Sequence, residues 1–460
     1  MMDRVVQHGL AVKKTEVLVC LAGFLICIAL QVFLNRVDTP DMFDSRQYVG
    51  AAYNLAHHGV FQEKPSLETP EPGLGREPAY GFLLAGLFTI DPLLSGITPD
   101  CLLSAAGCRA ENYRSAVGLN FILVALTGLL TYLTARLITK SRVAATIAGF
   151  HIWLNVFVYS SMGQLVSDPL AMMLSALFVL FATHYLIAGR LVWSLAAGGV
   201  LGLLTLTKAV VLYFFLSISP VLLIVALIAI VRSRSFRPMG ILAAFAIVYL
   251  ALTGPWMDRN AAISGNYVVA TGRAGIALGV REYYNHMTLA EYGTAFVYWT
   301  RVVGAPLAKQ HIAERHWTRF DENNENSFFL VGHARFPEKS ARIASAANVG
   351  PSVASDMAIR EIIVDIAHAW PVHLATTVAL FWRGAMVDLF LPFSLPAFMF
   401  ISILAFRRRN QVWAGLLSIG WFSLLFYPLI SLNVPRYQML SAPSLSVGLA
   451  LAAYILFLSK

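Results

Sequence analysis

The chain has 460 residues, of which 58% are hydrophobic and only 13% charged, and its mean hydropathy is +0.66. A soluble protein of that composition would lack the polar side chains to cover its surface, so the balance excludes a water-soluble globule and indicates a polytopic membrane protein. The formal net charge of +9 does not indicate nucleic acid, because Lys and Arg stand singly or in short clusters between apolar runs instead of along one face.

Taken in order, the first apolar run, 17–34, is too long for a signal-peptide core and lacks a small-residue cleavage site, so it reads as a retained first span. Further runs long enough to cross roughly 30 Å of hydrocarbon lie at 116–138, 143–159, 166–188, 191–207, 210–231, 239–257, 380–406, 411–430 and 438–458. The expectation is an all-α protein with about 10 to 12 transmembrane helices. Two regions stay open. Residues 80–90 are apolar but short, and 370–406 is longer than one span and carries Pro392 and Pro396, so either could add an interfacial or re-entrant helix.

Orientation follows from the basic residues. Lys13 and Lys14, then Arg136, Lys140 and Arg142, then Arg190, then Arg232, Arg234 and Arg237, then Arg407 to Arg409 fall on one side if the spans alternate, and that side is cytoplasmic. The opposite side receives two long loops, 35–115 and 258–371. The chain therefore divides into a transmembrane core over 1–257 that includes the first loop, a second extracytoplasmic loop over 258–371, and C-terminal helices over 372–460. Within the first loop, Ser45 to His58 has apolar residues at helical spacing and Gly59 as a stop. Cys101 and Cys108 close the short "CLLSAAGC" segment and can pair as a disulfide if that side is oxidising, whereas Cys20 and Cys27 lie inside the first span.

A second set of charges stands at the extracytoplasmic ends of the spans: Asp41, Asp44, Arg76, Asp168, Lys208, Asp258, Arg259 and Arg436. Lys208 interrupts an apolar stretch with no loop around it, and a lysine at that depth costs a few kcal/mol unless it meets water or a partner; the plain reading is a lysine snorkelling at a tight hairpin. Asp44 precedes a helical pattern with Gln47 three residues on, which also reads as a capping box. Asp168 before Pro169 likewise reads as a helix cap. His57 and His58 lack a third ligand at a recognisable spacing and do not form a metal motif. Together, a carboxylate able to take a proton and several cations able to hold an anion, at a lipid boundary, suit transfer of a sugar from a polyprenyl phosphate.

The segments "FDSRQYVGAAYNLAHHGVF", "REPAYGFLLAGLF", "SMGQLVSDPLAMMLSALFVLFA", "LLTLTKAVVLYFF", "GPWMDRNAAISGNYVVATGRAGIALG" and "VPRYQMLSAP" carry a resemblance. In that order and on consistent sides of the membrane, they resemble the C-type (GT-C) membrane glycosyltransferases, in the branch of dolichyl-phosphate-mannose protein mannosyltransferases and bacterial lipid A aminoarabinose transferases. The resemblance implies the GT-C fold and an inverting, metal-independent transfer to a lipid, glycan or protein hydroxyl. It implies Asp44 as general base, with Asp41 as the alternative. Ser45 stands where the family often has Glu, which weakens the case for a second carboxylate. By position, Arg76, Lys208, Arg436 and, less directly, Arg259 match donor-phosphate sites, with Asp168, Tyr48, Asn260 and Tyr437 in support. No cofactor, divalent metal or nucleic acid is expected. The partners implied are a polyprenyl-phosphate-linked sugar, an acceptor and membrane lipids, and the location implied is a bacterial inner membrane with the site facing the periplasm. A transporter or flippase of a lipid-linked or anionic substrate, and an inactive scaffold of the same fold, are the competing expectations. A transporter should carry inverted repeats and helices interrupted at the midplane.

Overall fold

The computed structural model describes residues 14–34, 43–66, 68–104, 108–160 and 162–459, and every regular element among them is helical. Seventeen helices of ten residues or more are numbered here in chain order. The chain divides into two compact units, one of residues 1–270, 388–420 and 439–460, the other of 271–387 and 421–438.

In the first unit, α1 (Lys14–Leu34), α2 (Phe43–His58), α3 (Pro78–Ile90), α4 (Arg114–Thr139) and α5 (Arg142–Trp153) precede four helices that run in succession. These are α6 (Asp168–Ala188), α7 (Leu191–Thr205), α8 (Val210–Ser233) and α9 (Arg237–Ser264). The unit is completed by α15 (Leu391–Arg407) and α17 (Ala442–Ala453), which pack together. Among the described residues, six segments are long and apolar enough to cross a bilayer: Ala110–Thr139, Arg142–Tyr159, Asp168–Ala188, Val210–Ser233, Arg237–Ser264 and Gln411–Ile430, the last being α16. The span expected at 17–34 is covered by α1, twenty-one residues long, and three other expected spans are met by shorter apolar helices, Leu191–Thr205, Leu391–Arg407 and Ala442–Leu458. The 80–90 segment forms α3, thirteen residues long. This is an integral membrane protein by the length and composition of its helices.

Glycine decides how closely the helices approach. Gly198 and Gly202, one turn apart on α7, face α9 so tightly that a Cβ on Gly198 would lie 2.5 Å from the Phe245 carbonyl oxygen, and one on Gly202 3.2 Å from that of Tyr249. This small-residue spacing lets two backbones meet where lipid supplies no hydrophobic drive. The Trp153 ring, fully buried, fills notches at Gly23 of α1, Gly128 of α4 and Gly149 of α5, and its Nε1 donates to the Ala125 carbonyl at 3.1 Å. The opposite pattern marks α8, where Leu216, Val221, Ile224 and Val231 are exposed as a lipid-facing helix requires.

The span expected at 380–406 is not continuous. The helix α14 (Trp370–Ala385) stops, residues 386–390 turn, and α15 begins at Leu391. Asp388 causes the break: its Oδ1 accepts from the Phe390 N–H at 2.8 Å, its Oδ2 lies 3.1 Å from His151 Nε2, and Asn155 Oδ1 accepts the Leu389 N–H at 3.2 Å. Pro392 sits in the first turn of α15, where no N–H is needed, whereas Pro396 lies inside the helix without ending it.

The second unit comprises α10 (Ala274–Tyr283), α11 (Leu289–Tyr298), α12 (Phe328–Ala347), α13 (Pro351–His368) and α14, with the end of α16. A bend of 94° separates α13 from α14. Its core gathers Val280, Tyr284, Trp299, Phe320, Phe328 and Leu380. Arg281 is fully buried there, and its guanidinium donates to the carbonyls of Pro428 (2.7 Å) and His373 (2.7 Å), to Asn285 Oδ1 (2.8 Å) and to Thr377 Oγ1 (2.8 Å). A charge so placed survives because its donors are met.

Candidate active site

Connectivity sets the polarity of the first unit. Asp168 opens α6, which runs to Ala188 ahead of Arg190; α7 then runs to Thr205, just before Lys208. The returning α8 ends among Arg232 and Arg234. Asp168 and Lys208 thus occupy helix ends opposite those of Arg190, Arg232 and Arg234.

Helix α2 forms as its spacing predicts and stops at Gly59, whose φ of +67° is the left-handed closure that glycine makes without strain. Asp44 lies in its first turn and forms an ion pair with Arg76, whose Nε donates to Gln47 Oε1 at 2.5 Å. The two residues that read as a capping box therefore meet on one guanidinium. Arg76 is 1% exposed and lies over the Tyr48 ring at 5.0 Å, while the Asp44 side chain keeps 22% exposure. Tyr48 meets Tyr80 edge to face at 5.3 Å, so the guanidinium rests on a fixed ring.

A second ion pair lies on the same network. Lys208 Nζ is 2.8 Å from Asp168 Oδ1, with the lysine 15% and the aspartate 1% exposed. Lys208 occupies a tight bend between α7 and α8, where its own N–H donates to the Leu204 carbonyl at 2.9 Å, so the hairpin geometry expected of it is present together with a charged partner. Ser167 stands at the N-cap position of α6 without a side-chain cap bond, and the Tyr48 hydroxyl donates toward its Oγ at 3.0 Å and toward Glu77 Oε2 at 3.1 Å. Glu77 Oε1 in turn accepts the Ala209 N–H at 3.1 Å. The loop before α6 is pinned as well. Ser45 Oγ donates to Gln164 Oε1 at 3.1 Å, and Asn120 Nδ2 donates to the Met162 and Gln164 carbonyls at 3.1 and 3.3 Å.

Asp44, Tyr48, Arg76, Asp168 and Lys208 are thus brought together from segments more than 160 residues apart. Glu77, Ser167 and Gln164 join them without having been singled out by the sequence; their only signal is proximity to Arg76 and Asp168. Arg259 and Asn260 are placed differently. Arg259 stacks on Trp256 at 4.6 Å and donates to the Gly73 (2.7 Å) and Phe61 (3.3 Å) carbonyls, holding the 61–73 loop on α9. Asn260 Nδ2 donates to the Val268 and Val269 carbonyls at 2.9 and 3.1 Å. Arg436 and Tyr437 belong to the second unit, where the Arg436 guanidinium lies 5.5 Å from the Tyr437 ring and that ring stacks on Tyr427 at 5.2 Å. Asp41 lies outside the described residues. Cys101 and Cys108 are joined as a disulfide, their Cα atoms 4.8 Å apart, while Cys20 and Cys27 are free thiols. His58 Nε2 lies 3.1 Å from the Ser66 carbonyl and the His57 ring lies tilted against Tyr53, and no group of three or more candidate metal ligands occurs among the described residues.

No protein-family model and no curated protein matches the sequence. Among solved structures, the chain is similar to the archaeal oligosaccharyltransferase AglB from Archaeoglobus fulgidus in complex with an inhibitory peptide and a dolichol-phosphate, at 14% identity and a TM-score of 0.47, over 97% of this chain and 51% of that one. An oligosaccharyltransferase from the same organism tethered with an acceptor peptide gives 14% identity and a TM-score of 0.48, over 96% and 50%. ArnT from Cupriavidus metallidurans bound to undecaprenyl phosphate gives 13% identity and a TM-score of 0.39, over 94% and 77%. The chain spans about half the length of the two oligosaccharyltransferase chains.

Proposed function

We propose that the protein is an inverting glycosyltransferase of the GT-C type, moving a sugar from a polyprenyl phosphate to a hydroxyl acceptor at the extracytoplasmic face of a membrane, with the bacterial inner membrane as its location. The observation that carries this reading is a partly exposed carboxylate, Asp44, paired with Arg76, and a partly exposed ammonium, Lys208, paired with Asp168, the two pairs linked through Tyr48, whose ring lies under Arg76 and whose hydroxyl meets Ser167 beside Asp168. The sequence resemblance supports it independently.

In the reaction, the acceptor oxygen attacks the anomeric carbon as the bond from that carbon to the phosphate oxygen breaks, and the configuration inverts. Asp44 takes the acceptor's proton. The leaving phosphate keeps the electron pair, and Lys208 stabilises its charge. Arg76 is assigned to Asp44 instead of to the phosphate, because it is buried and two of its nitrogens are engaged by Asp44 and Gln47. A guanidinium there holds the carboxylate in place. Asp168 orients Lys208. The acceptor is a lipid or envelope glycan in this reading.

The test uses the protein in nanodiscs with a panel of polyprenyl-phosphate sugars and cell-envelope extract, following free polyprenyl phosphate by mass spectrometry. Release with one donor, lost in Asp44→Asn while donor binding persists, is the expected result. Binding without release, equal in wild type and Asp44→Asn, would turn the reading toward a carrier or an inactive scaffold.

A further inference from the structure

We propose that Glu77 is a positioning residue that couples the two ion pairs of the site, holding Lys208 in register with Asp44. The inference rests on the transferase reading for its kinetic consequence but on geometry alone for the coupling.

Glu77 stands at the N-cap position of α3, where a carboxylate ordinarily turns back to the first N–H groups of its own helix. It makes no such bond. Pro78 follows it, and the residue before a proline is driven to extended backbone, which is where Glu77 is found, at φ −70° and ψ 137°. That fixed backbone sends the carboxylate outward to two other segments. Oε1 accepts the Ala209 N–H, one residue after Lys208, and Oε2 accepts from Tyr48. A second clamp lies two residues on, where the Ala79 N–H donates to the Leu206 carbonyl at 3.0 Å. The bend 206–209 is therefore gripped on both sides of Lys208 by the segment that begins with Arg76.

The other arm reaches the remaining partners. Tyr48 carries Arg76 on its ring face and contacts Ser167 through its hydroxyl, and Ser167 adjoins Asp168, which holds the Lys208 ammonium. Glu77 is thus one bond from the backbone after Lys208 and one bond from the tyrosine beneath Arg76. In this proposal a displacement at either ion pair is passed to the other through this carboxylate, along a contiguous chain of bonded groups whose coupling the exchange experiment measures. Its charge need not take part in the reaction. A glutamine can accept from Ala209 through its oxygen and donate to the Tyr48 oxygen through its nitrogen, keeping both links.

The experiment compares Glu77→Ala, Glu77→Gln and Tyr48→Phe with wild type in nanodiscs, by hydrogen exchange of peptides covering 162–170 and 204–212 and by the polyprenyl-phosphate release assay. Glu77→Ala is expected to speed exchange in both peptides, and to lower kcat by roughly 10- to 100-fold, the scale of a misplacement near 1 Å, with donor KM little changed. Glu77→Gln restores protection and rate, and Tyr48→Phe speeds exchange at 162–170. Unchanged exchange in Glu77→Ala overturns the coupling, as does faster exchange confined to 204–212. Loss in Glu77→Gln as deep as in Glu77→Ala assigns the charge a direct part in the reaction and overturns the positioning role. If wild type releases nothing from any donor, the transferase reading fails, while the exchange data still decide whether Glu77 joins the two ion pairs.

Discussion

At the residue scale, the Asp168–Lys208 pair gives a sharp expectation. Both groups are largely withdrawn from water, and removing one partner of such a pair strands the other charge, at a cost of about 3 to 5 kcal/mol. Lys208→Met should therefore destabilise more than Asp168→Asn and Lys208→Met combined, a non-additivity that a double-mutant cycle of thermal unfolding in detergent would measure. Additive effects would mean that the two groups do not interact. Both members were legible as site candidates, because Lys208 interrupts an apolar run and topology brings helix ends to one face, but their pairing was not, since each also had a plain local reading as a snorkelling lysine or a helix cap. Glu77 and Ser167 were not legible. A polar side chain at the start of a helix looks like a cap, and only tertiary placement reveals that both turn to Tyr48 and leave their own helices uncapped. Arg259 illustrates the converse: a charge near the right helix end that is taken up by two backbone carbonyls of a neighbouring loop, the Asn260 side chain and the Trp256 ring.

At the scale of elements, the α7–α9 contact separates two adjacent glycines. Gly198 has the Phe245 carbonyl in its way, whereas a Cβ on Gly199 would make an ordinary 3.5 Å contact with Val248. Gly198→Ala should lower stability by about 1 to 3 kcal/mol through overpacking. Gly199→Ala should be neutral or stabilise by up to about 1 kcal/mol from helix propensity. The readout is the unfolding midpoint of each variant, and equal midpoints would refute the close approach. Apolar runs made most helices readable, because span length and hydrophobicity are local. That the 370–406 run is interrupted was readable from its length and prolines, but the place, 386–390, was not, since Asp388 there bonds to His151, 237 positions away. The prolines in that run pointed to a break, but only Pro392 stands near it, at the start of the helix that follows.

At the scale of the whole molecule, the orientation of the site rests on one short helix. Between residues 95 and 235 lie four segments long enough to cross, if the Ala110–Thr139 and Arg142–Tyr159 helices, α6 and α8 each span, and α7 as a fifth. With fifteen residues, α7 is about 22 Å long, less than the roughly 30 Å hydrocarbon core. Five crossings put residues 95 and 235 on opposite sides; four put them on the same side. The basic residues favour five, because Arg190 and the Arg232 to Arg237 cluster then share a face. The bend carrying Lys208 supplies the missing length, since a lysine paired with Asp168 lets a wet, polar turn sit below the membrane surface. Single cysteines at Ser95 and Ser235, both exposed, in a background lacking Cys20 and Cys27, decide the matter with a membrane-impermeant maleimide on intact cells. Position 95 should label from outside and position 235 only after permeabilisation, with the Cys101–Cys108 disulfide resisting alkylation until reduced. Labelling of both from one side would mean that α7 is re-entrant, and would place Lys208 at the end of a helix that never crosses.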